Sequence, residues 1–165
     1  MTARSAPKAM TKMPWIRWLD LDNTIAPDGT LVVTLARPKP EHVNHNNAIN
    51  AAVAYGVAEV AGLGAAVLGI LDLLPSTYTV VEAAEIAYGA PATAGLVATS
   101  RVDTAVATAA RAAVERGEAT QLDAEVALAD LSGRATGTCT FTIALRPRRT
   151  PRTDSSRDQR NPETR

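Results

Sequence analysis

The sequence predicts a single α+β domain in which an antiparallel sheet wraps around one long central helix. From about Asn47 to Leu68 nearly every residue is apolar or small, which is typical of a helix that is covered on all sides. Around this stretch, short segments of alternating apolar and polar residues are separated by turns, a pattern typical of strands. At 165 residues the chain accommodates one domain of this kind.

The element order is strand, long helix and then four strands, with a short helix inserted midway. A short amphipathic helix, opened by Pro14, precedes them and is expected to pack on the sheet. Glycine and proline residues punctuate the elements, and Gly117 stops the second helix. The elements are predicted as a strand over 31–35, the long helix over 47–68, strands over 77–88 and 95–102, a helix over 105–116 and a hairpin over 119–145.

The hairpin has the clearest alternation. Before its turn at 130–133, apolar residues from Leu122 to Leu128 alternate with acidic and polar ones. After the turn, the threonines 136, 138, 140 and 142 alternate with the apolar residues from Cys139 to Leu145. We therefore expect one buried face and one face lined by all four threonines.

Composition limits the class of protein and of partner. The 17 basic and 17 acidic residues balance, so neither nucleic acid nor a membrane surface is indicated as a partner. Cys139 is the sole cysteine, which excludes an internal disulfide and favours a cytoplasmic protein. The polar residues within 48–74 favour a core helix over a membrane span. The domain is expected over 13–146, with residues 1–12 and 147–165 disordered.

The long helix also predicts an oligomer. An antiparallel sheet covers one side of a helix, so a helix that is apolar all round needs a second cover. A second copy related by a two-fold axis is the commonest solution. A homodimer is therefore expected, with a tetramer as a further assembly of the same kind.

Two motifs are considered and set aside. The segment from Asp20 to Thr24 matches the D-x-D-x-T signature of haloacid-dehalogenase-like phosphatases, but Lys39 is the sole lysine after it and the acidic pair for magnesium is missing. Glu41, His42 and His45 suggest metal ligands, but further ligands are missing. We therefore expect no metal, and the phosphatase is the least favoured activity.

The segment from His42 to Glu59 resembles hotdog-fold acyl-CoA thioesterases of the phenylacetyl-CoA type and related domains of unknown function. The resemblance extends over residues 11–146. In that family an asparagine or glutamine precedes the helix, a small residue opens it and an acid follows about two turns later. Asn44, Ala51 and Glu59 fall at these spacings, although Asn50, Ala51 and Ala52 replace a frequent His-Gly-Gly.

The resemblance implies hydrolysis of an acyl-CoA or acyl-carrier thioester, with coenzyme A as part of the substrate and without a further cofactor. The residue types fit this chemistry. Backbone amides at Asn50, Ala51 and Ala52 would stabilise an oxyanion at the amino end of the helix. Burial should raise the pKa of Glu59, which would then act as a general base or as a nucleophile, with Asn44 holding the water or the carbonyl.

Three further residues are expected to contact the substrate. Asn46 lies in the loop beside Asn44, Tyr55 shares the helix face of Glu59, and Thr77 would by similarity reach in from the opposite subunit. Two other functions on the same fold stay open. One is a non-catalytic module that binds acyl thioesters, and the other is a dehydratase that would use His42 or His45.

Overall fold

The computed structural model describes residues 4–5 and 13–148, and these form a seven-stranded antiparallel sheet around one long helix. The strands are ordered β1-β2-β3-β5-β6-β7-β4. The elements are β1 (Arg4–Ser5), α1 (Pro14–Leu19), β2 (Asp22–Ile25), β3 (Leu31–Leu35), α2 (Ala51–Val67), β4 (Thr77–Tyr88), β5 (Leu96–Ser100), α3 (Thr104–Glu115), β6 (Thr120–Ala129) and β7 (Ala135–Pro147). The predicted α+β class, with its sheet around a long central helix, is confirmed.

The long helix begins later than predicted. The side chain of Asn50 accepts a hydrogen bond of 2.9 Å from the amide of Ala52, which makes Asn50 the amino-terminal cap. Asn47, the predicted start, instead lies in a turn with φ +54°, a conformation that asparagine tolerates better than most residues. The four-residue difference arises because Asn44 and Asn50 both bind nearby backbone and hold the loop out of the helix.

The sheet and the surrounding loops cover most of α2 but leave one stripe uncovered. Twelve of its 17 residues are buried. The others, Ala51, Ala52, Tyr55, Glu59 and Leu63, are exposed or half-buried. Residues four apart lie on one face of a helix, so these five form a single stripe along α2. The second copy that the sequence predicts as a cover for the helix would therefore need to cover only this stripe.

Helix α1 packs against α2 rather than on the sheet. The indole of Trp15 lies so close to Gly56 that a Cβ added at Gly56 would be 3.0 Å from the ring. Ile16 and Leu19 are the buried residues of α1. The prediction of a helix opened by Pro14 was correct, but its packing partner is α2, because Gly56 lacks a Cβ and accepts the Trp15 ring directly.

A bulge in β4 decides which of its side chains face α2. Val81 pairs with Ile143 and Ala83 pairs with Thr142, so Glu82 is an extra residue in the strand. The Glu82 carboxylate is held on the outer face by Gln121 and Arg146. After the bulge, the alternation of side chains between the two faces is shifted by one residue. Side chains in the second half of β4 therefore lie on the opposite faces from those they would have in a regular strand.

A second bulge explains why one predicted threonine lies on the other face. Leu128 pairs with Gly137 and Ala129 pairs with Ala135, which leaves Thr136 as an extra residue. Thr136 is buried, whereas Thr138 and Thr140 are exposed as predicted. The alternation of the rest of the hairpin, with Cys139 and Phe141 facing the core, is confirmed.

The predicted terminal segments lie mostly outside the described residues. Within the first of them, Arg4–Ser5 pair with β2. The stretch from Ala51 to Ile70 is long and apolar enough to span a membrane, but 72% of that window is buried inside the fold. It is the core helix of this domain.

Candidate functional site

A cavity of about 220 Å³ opens at the amino end of α2. It is bounded by the loop before the helix, the first turn of α2, the end of β4 and the start of β7. Its polar lining comes from Asn44, Tyr88 and Thr136, and its apolar lining includes Ala51 and Ala54. The cavity therefore brings together a helix amino terminus and three side chains that are able to form hydrogen bonds.

The first turn of α2 leaves some amides free and uses others. The amide of Asn50 donates to the carbonyl oxygen of His42 at 2.8 Å, and the amide of Ala52 donates to the Asn50 side chain. The N–H groups of Ala51 and Val53 have no acceptor among the described residues, and Ala51 is the exposed one of the two. Of the three predicted amides, Ala51 alone is open to a ligand.

Asn44 is held by its own loop. Its side-chain oxygen accepts hydrogen bonds from the amides of Asn46 and Ala48, at 2.9 and 3.3 Å. This arrangement fixes the amide plane and leaves the Nδ2 group without an acceptor among the described residues, so it is able to donate to a ligand. Asn46, by contrast, is exposed, and its backbone amide takes part in this turn by donating to Asn44.

Thr136 and Tyr88 are site residues that sequence reasoning missed. The hydroxyl of Thr136 is buried and has no hydrogen-bond partner among the described residues, although its residue lines the cavity. A buried unpaired hydroxyl costs free energy, so a ligand or water would satisfy it. Both residues face α2 because of bulges, and bulges are not visible in an alternating pattern.

Glu59 lies in a separate apolar groove of about 330 Å³. The groove runs between α1, α2 and the start of β4, and Glu59 is the sole ionisable residue that lines it among the described residues. Burial raises the pKa of its carboxyl, as predicted from the helix. The group thus favours its protonated form more than a surface glutamate does.

Tyr55 and Thr77 lie beside the site rather than in it. The Tyr55 ring packs edge-on against Phe141, and burial followed by the nearby charge of Glu59 raises its pKa. Thr77 is buried and its hydroxyl donates to the carbonyl oxygen of Leu73 at 2.8 Å. Thr79, two residues along β4, is the threonine that lines the Glu59 groove.

One chain does not bring the carboxylate to the free amide. Ala51 and Glu59 are eight residues apart on the same helix, which places them about 12 Å apart along its axis. They also line different cavities. The residues that the sequence predicts as one site therefore form two half-sites at opposite ends of the exposed stripe.

The other candidate residues do not assemble into a site. Asp20 ends α1 and Asp22 begins β2, and both are exposed in an antiparallel part of the sheet, unlike the nucleophile of a phosphatase. His42 is fully buried while His45 is exposed. Within residues 4–5 and 13–148, no three His, Cys, Asp or Glu side chains lie together as metal ligands would.

No family model matches the chain, and no curated protein matches it either. Solved structures do match. A candidate thioesterase from Shewanella oneidensis is 21% identical, with a TM-score of 0.69 over 83% of this chain and 91% of that one. The PaaI protein of the E. coli phenylacetic acid degradation operon is 13% identical, with a TM-score of 0.59 over 82% and 86%. The chain has the hotdog fold.

A mutant thioesterase from Pseudomonas aeruginosa gives a further match, with a TM-score of 0.67 at 14% identity over 86% of this chain and 91% of that one. In all three comparisons the matched region covers 82–86% of this chain and 86–91% of the other. This agrees with the resemblance found in the sequence around the long helix.

Proposed function

We propose that this hotdog protein hydrolyses an acyl thioester of coenzyme A or of an acyl carrier, and that it does so as a homodimer. The main support is the arrangement along α2. Ala51, whose amide is unpaired among the described residues, lines the cavity that also contains Asn44, and Glu59, a carboxylate of raised pKa, lies on the same exposed stripe. The description of two similar structures as thioesterases supports the same chemistry.

The amino end of α2 would stabilise the reaction's negative charge. Attack on a thioester carbonyl places charge on its oxygen, and the Ala51 amide together with the helix dipole favours that charge. The Asn44 amide group lies in the same cavity and would orient the carbonyl or the attacking water. Removal of one donor of this kind typically lowers kcat by roughly 100- to 1,000-fold.

Glu59 would supply the proton transfers. As a carboxylate it accepts a proton from water while the water oxygen bonds to the carbonyl carbon. When the C–S bond breaks, the same proton passes to the departing sulfur, which leaves as a thiol. The raised pKa of Glu59 makes its carboxylate a stronger base than that of a surface glutamate, which favours the first step.

A second copy would bring the two half-sites together. Strand β4, 12 residues long, is at one end of the sheet, and no strand among the described residues pairs with its outer edge. Long unpaired edges favour pairing with another chain. Tyr88 lies over the amino end of α2 and Thr79 lies beside Glu59. If two β4 strands pair antiparallel about an axis near Ala83, each Tyr88 faces the partner's Thr79.

This pairing would place the partner's Glu59 beside the Ala51 cavity, and the dimer would hold two such composite sites. The alanines of β4 that flank the axis are exposed in the single chain, which allows close approach of a second strand. The uncovered stripe of α2 would be covered by the same contact.

The direct test is hydrolysis of acyl-CoA thioesters by the purified chain, measured through the free thiol that is released. Glu59→Gln should abolish turnover, whereas Glu85→Gln, which alters an exposed carboxylate of β4, should leave it unchanged. Full activity in Glu59→Gln would overturn the mechanism.

A non-catalytic acyl-thioester binding module is the second candidate function. The methyl groups of Ala51 and Ala52 are exposed at the helix start, where glycine would let a thioester approach the backbone more closely. Thioester-induced stabilisation without thiol release, equal in the wild type and Glu59→Gln, would establish this function instead.

A further inference from the structure

We propose that Trp15 determines the acyl specificity of the site, and that the groove beside Glu59 accepts an apolar acyl group without charged substituents. This inference rests on the proposed thioester hydrolysis, because it assigns the acyl part of that substrate to the groove. The thioester oxygen and the carrier arm then belong to the Ala51 cavity of the other copy.

The rim of the groove is unusually apolar for a surface. Met13 is 50% exposed, Trp15 46% and Leu71 37%, and all three line the groove. Large apolar side chains that cluster at the surface mark binding sites. The floor is equally apolar, because Leu63 and Val67 of α2 form part of it.

The charge of the groove defines its occupant. Glu59 is the sole ionisable residue among the described lining residues, and Thr79 and the Trp15 indole are the other lining side chains able to form hydrogen bonds. An acyl group with a carboxylate would meet the Glu59 carboxylate without a cation to offset it. An unsubstituted aliphatic or aryl acyl group instead gains from burial against the apolar walls.

Trp15 sets the size of the groove because its position is fixed. Its indole rests on the backbone of α2 at Gly56 and stacks on Trp18, with ring centroids 5.0 Å apart. Trp18 does not line the groove, and it contacts the buried ring of His42 instead. Trp15 therefore forms one wall of the groove. Trp18, on the same helix, provides a matched control.

The test measures kcat/KM for saturated acyl-CoA thioesters of increasing chain length, with succinyl-CoA as the charged probe. Trp15→Ala should raise the ratio of long-chain to short-chain kcat/KM by roughly tenfold or more, the scale of one methylene in a specificity pocket. Trp18→Phe should leave the ratio unchanged. An unchanged ratio in Trp15→Ala, or succinyl-CoA hydrolysed as well as butyryl-CoA, overturns the proposal.

A binding readout separates this proposal from the proposed function. In Trp18→Phe, Trp15 is the sole tryptophan, and its fluorescence should change saturably with apolar acyl-CoA but not with free CoA. A saturable change without any thiol release would refute hydrolysis and leave the groove assignment standing. Hydrolysis without a fluorescence change would refute the groove assignment. Loss of the dimer in Trp15→Ala, with chain preference unchanged, would show that a second copy covers the groove.

Discussion

The hydroxyl of Tyr88 donates a hydrogen bond of 3.0 Å to the carbonyl oxygen of Ala51, and so ties the end of β4 to the first turn of α2. The contact depends on the bulge at Glu82. In a regular strand Tyr78 and Tyr88 would share a face, whereas here Tyr78 pairs with Arg146 on the outer face and Tyr88 points at the helix.

Tyr88→Phe should therefore destabilise the domain by about 1 kcal/mol, the usual contribution of one hydrogen bond, and lower kcat/KM for thioesters. Chemical denaturation and the thiol-release assay measure the two effects. Tyr78→Phe is the control, since its exposed hydroxyl makes no hydrogen bond among the described residues. Equal stability of both variants would contradict a role for the contact.

Gly62 is expected to be essential for packing between α2 and the sheet. A Cβ at this position would lie 2.7 Å from Cδ2 of Phe141, a fully buried ring. Gly62→Ala should therefore destabilise the fold by about 1–3 kcal/mol despite the better helix propensity of alanine. Gly69→Ala, whose Cβ would meet nothing closer than 3.7 Å, should cost far less in the same denaturation experiment.

The ionised carboxylate of Glu59 is expected to lower the stability of the folded chain. Burial raises its pKa in the folded chain above the ordinary value of 4.5, so the folded state holds the proton more tightly than the unfolded state. Its contribution to stability is present at low pH and is lost as pH rises through the raised pKa. Glu59→Gln should thus have a higher Tm than the wild type at pH 8 and a similar Tm at pH 4. A lower Tm at pH 8 would refute this.

His42 should make stability fall in acid. Its ring is fully buried, Nδ1 accepts from the amide of Lys39 at 3.2 Å, and Nε2 is unpaired among the described residues. Burial, then the charge of Lys39, lowers the pKa of the ring, while the Trp18 carbonyl and the carboxylates of Glu41 and Asp20 act in the opposite direction.

The unfolded chain therefore binds more protons, and stability is lost as pH falls below the ordinary histidine value of 6.5. His42→Asn retains an acceptor for Lys39 but does not titrate. From pH 7 down to pH 5, its unfolding free energy should fall less than that of the wild type, because the histidine's contribution to the slope is gone. An identical slope in both proteins would exclude His42 as the cause.

The sequence predicted the elements with regular patterns and missed those set by single residues. The apolar run of α2, the alternation of β6 and the spacing of Asn44, Ala51 and Glu59 are local features, and periodicity reports them directly. Strand β2 was missed because its sequence is polar, and its side chains are exposed or half-buried rather than part of the core. The bulges at Glu82 and Thr136 depend on pairing with distant residues, so the faces of Tyr88 and Thr136 could not be inferred.

Ala51 and Glu59 were predicted as parts of one catalytic site, with the acid about two turns beyond the start of the helix. Their separation of about 12 Å follows from helix geometry and shows that a shared face is not a shared site. The long helix predicts a homodimer, but the sequence does not show which residues of a second copy would complete each site.

The composite site can be tested by mixing two inactive variants. Ala51→Pro should remove the free N–H with little loss of stability, because proline is favoured at the first helical position and Asn50 already has φ −58° and ψ 139°. It should lower hydrolysis by roughly 100-fold or more as a homodimer. Glu59→Gln should be inactive as a homodimer as well.

Co-refolding Ala51→Pro with Glu59→Gln in equal amounts is the most direct test of the account. Half of the dimers would be mixed, and each mixed dimer would hold one site with an intact Ala51 amide and an intact Glu59. If each site is composed of both copies, activity should return to about a quarter of the wild-type value. Activity that stays at the level of the separate variants, in a sample shown to contain mixed dimers, would contradict it.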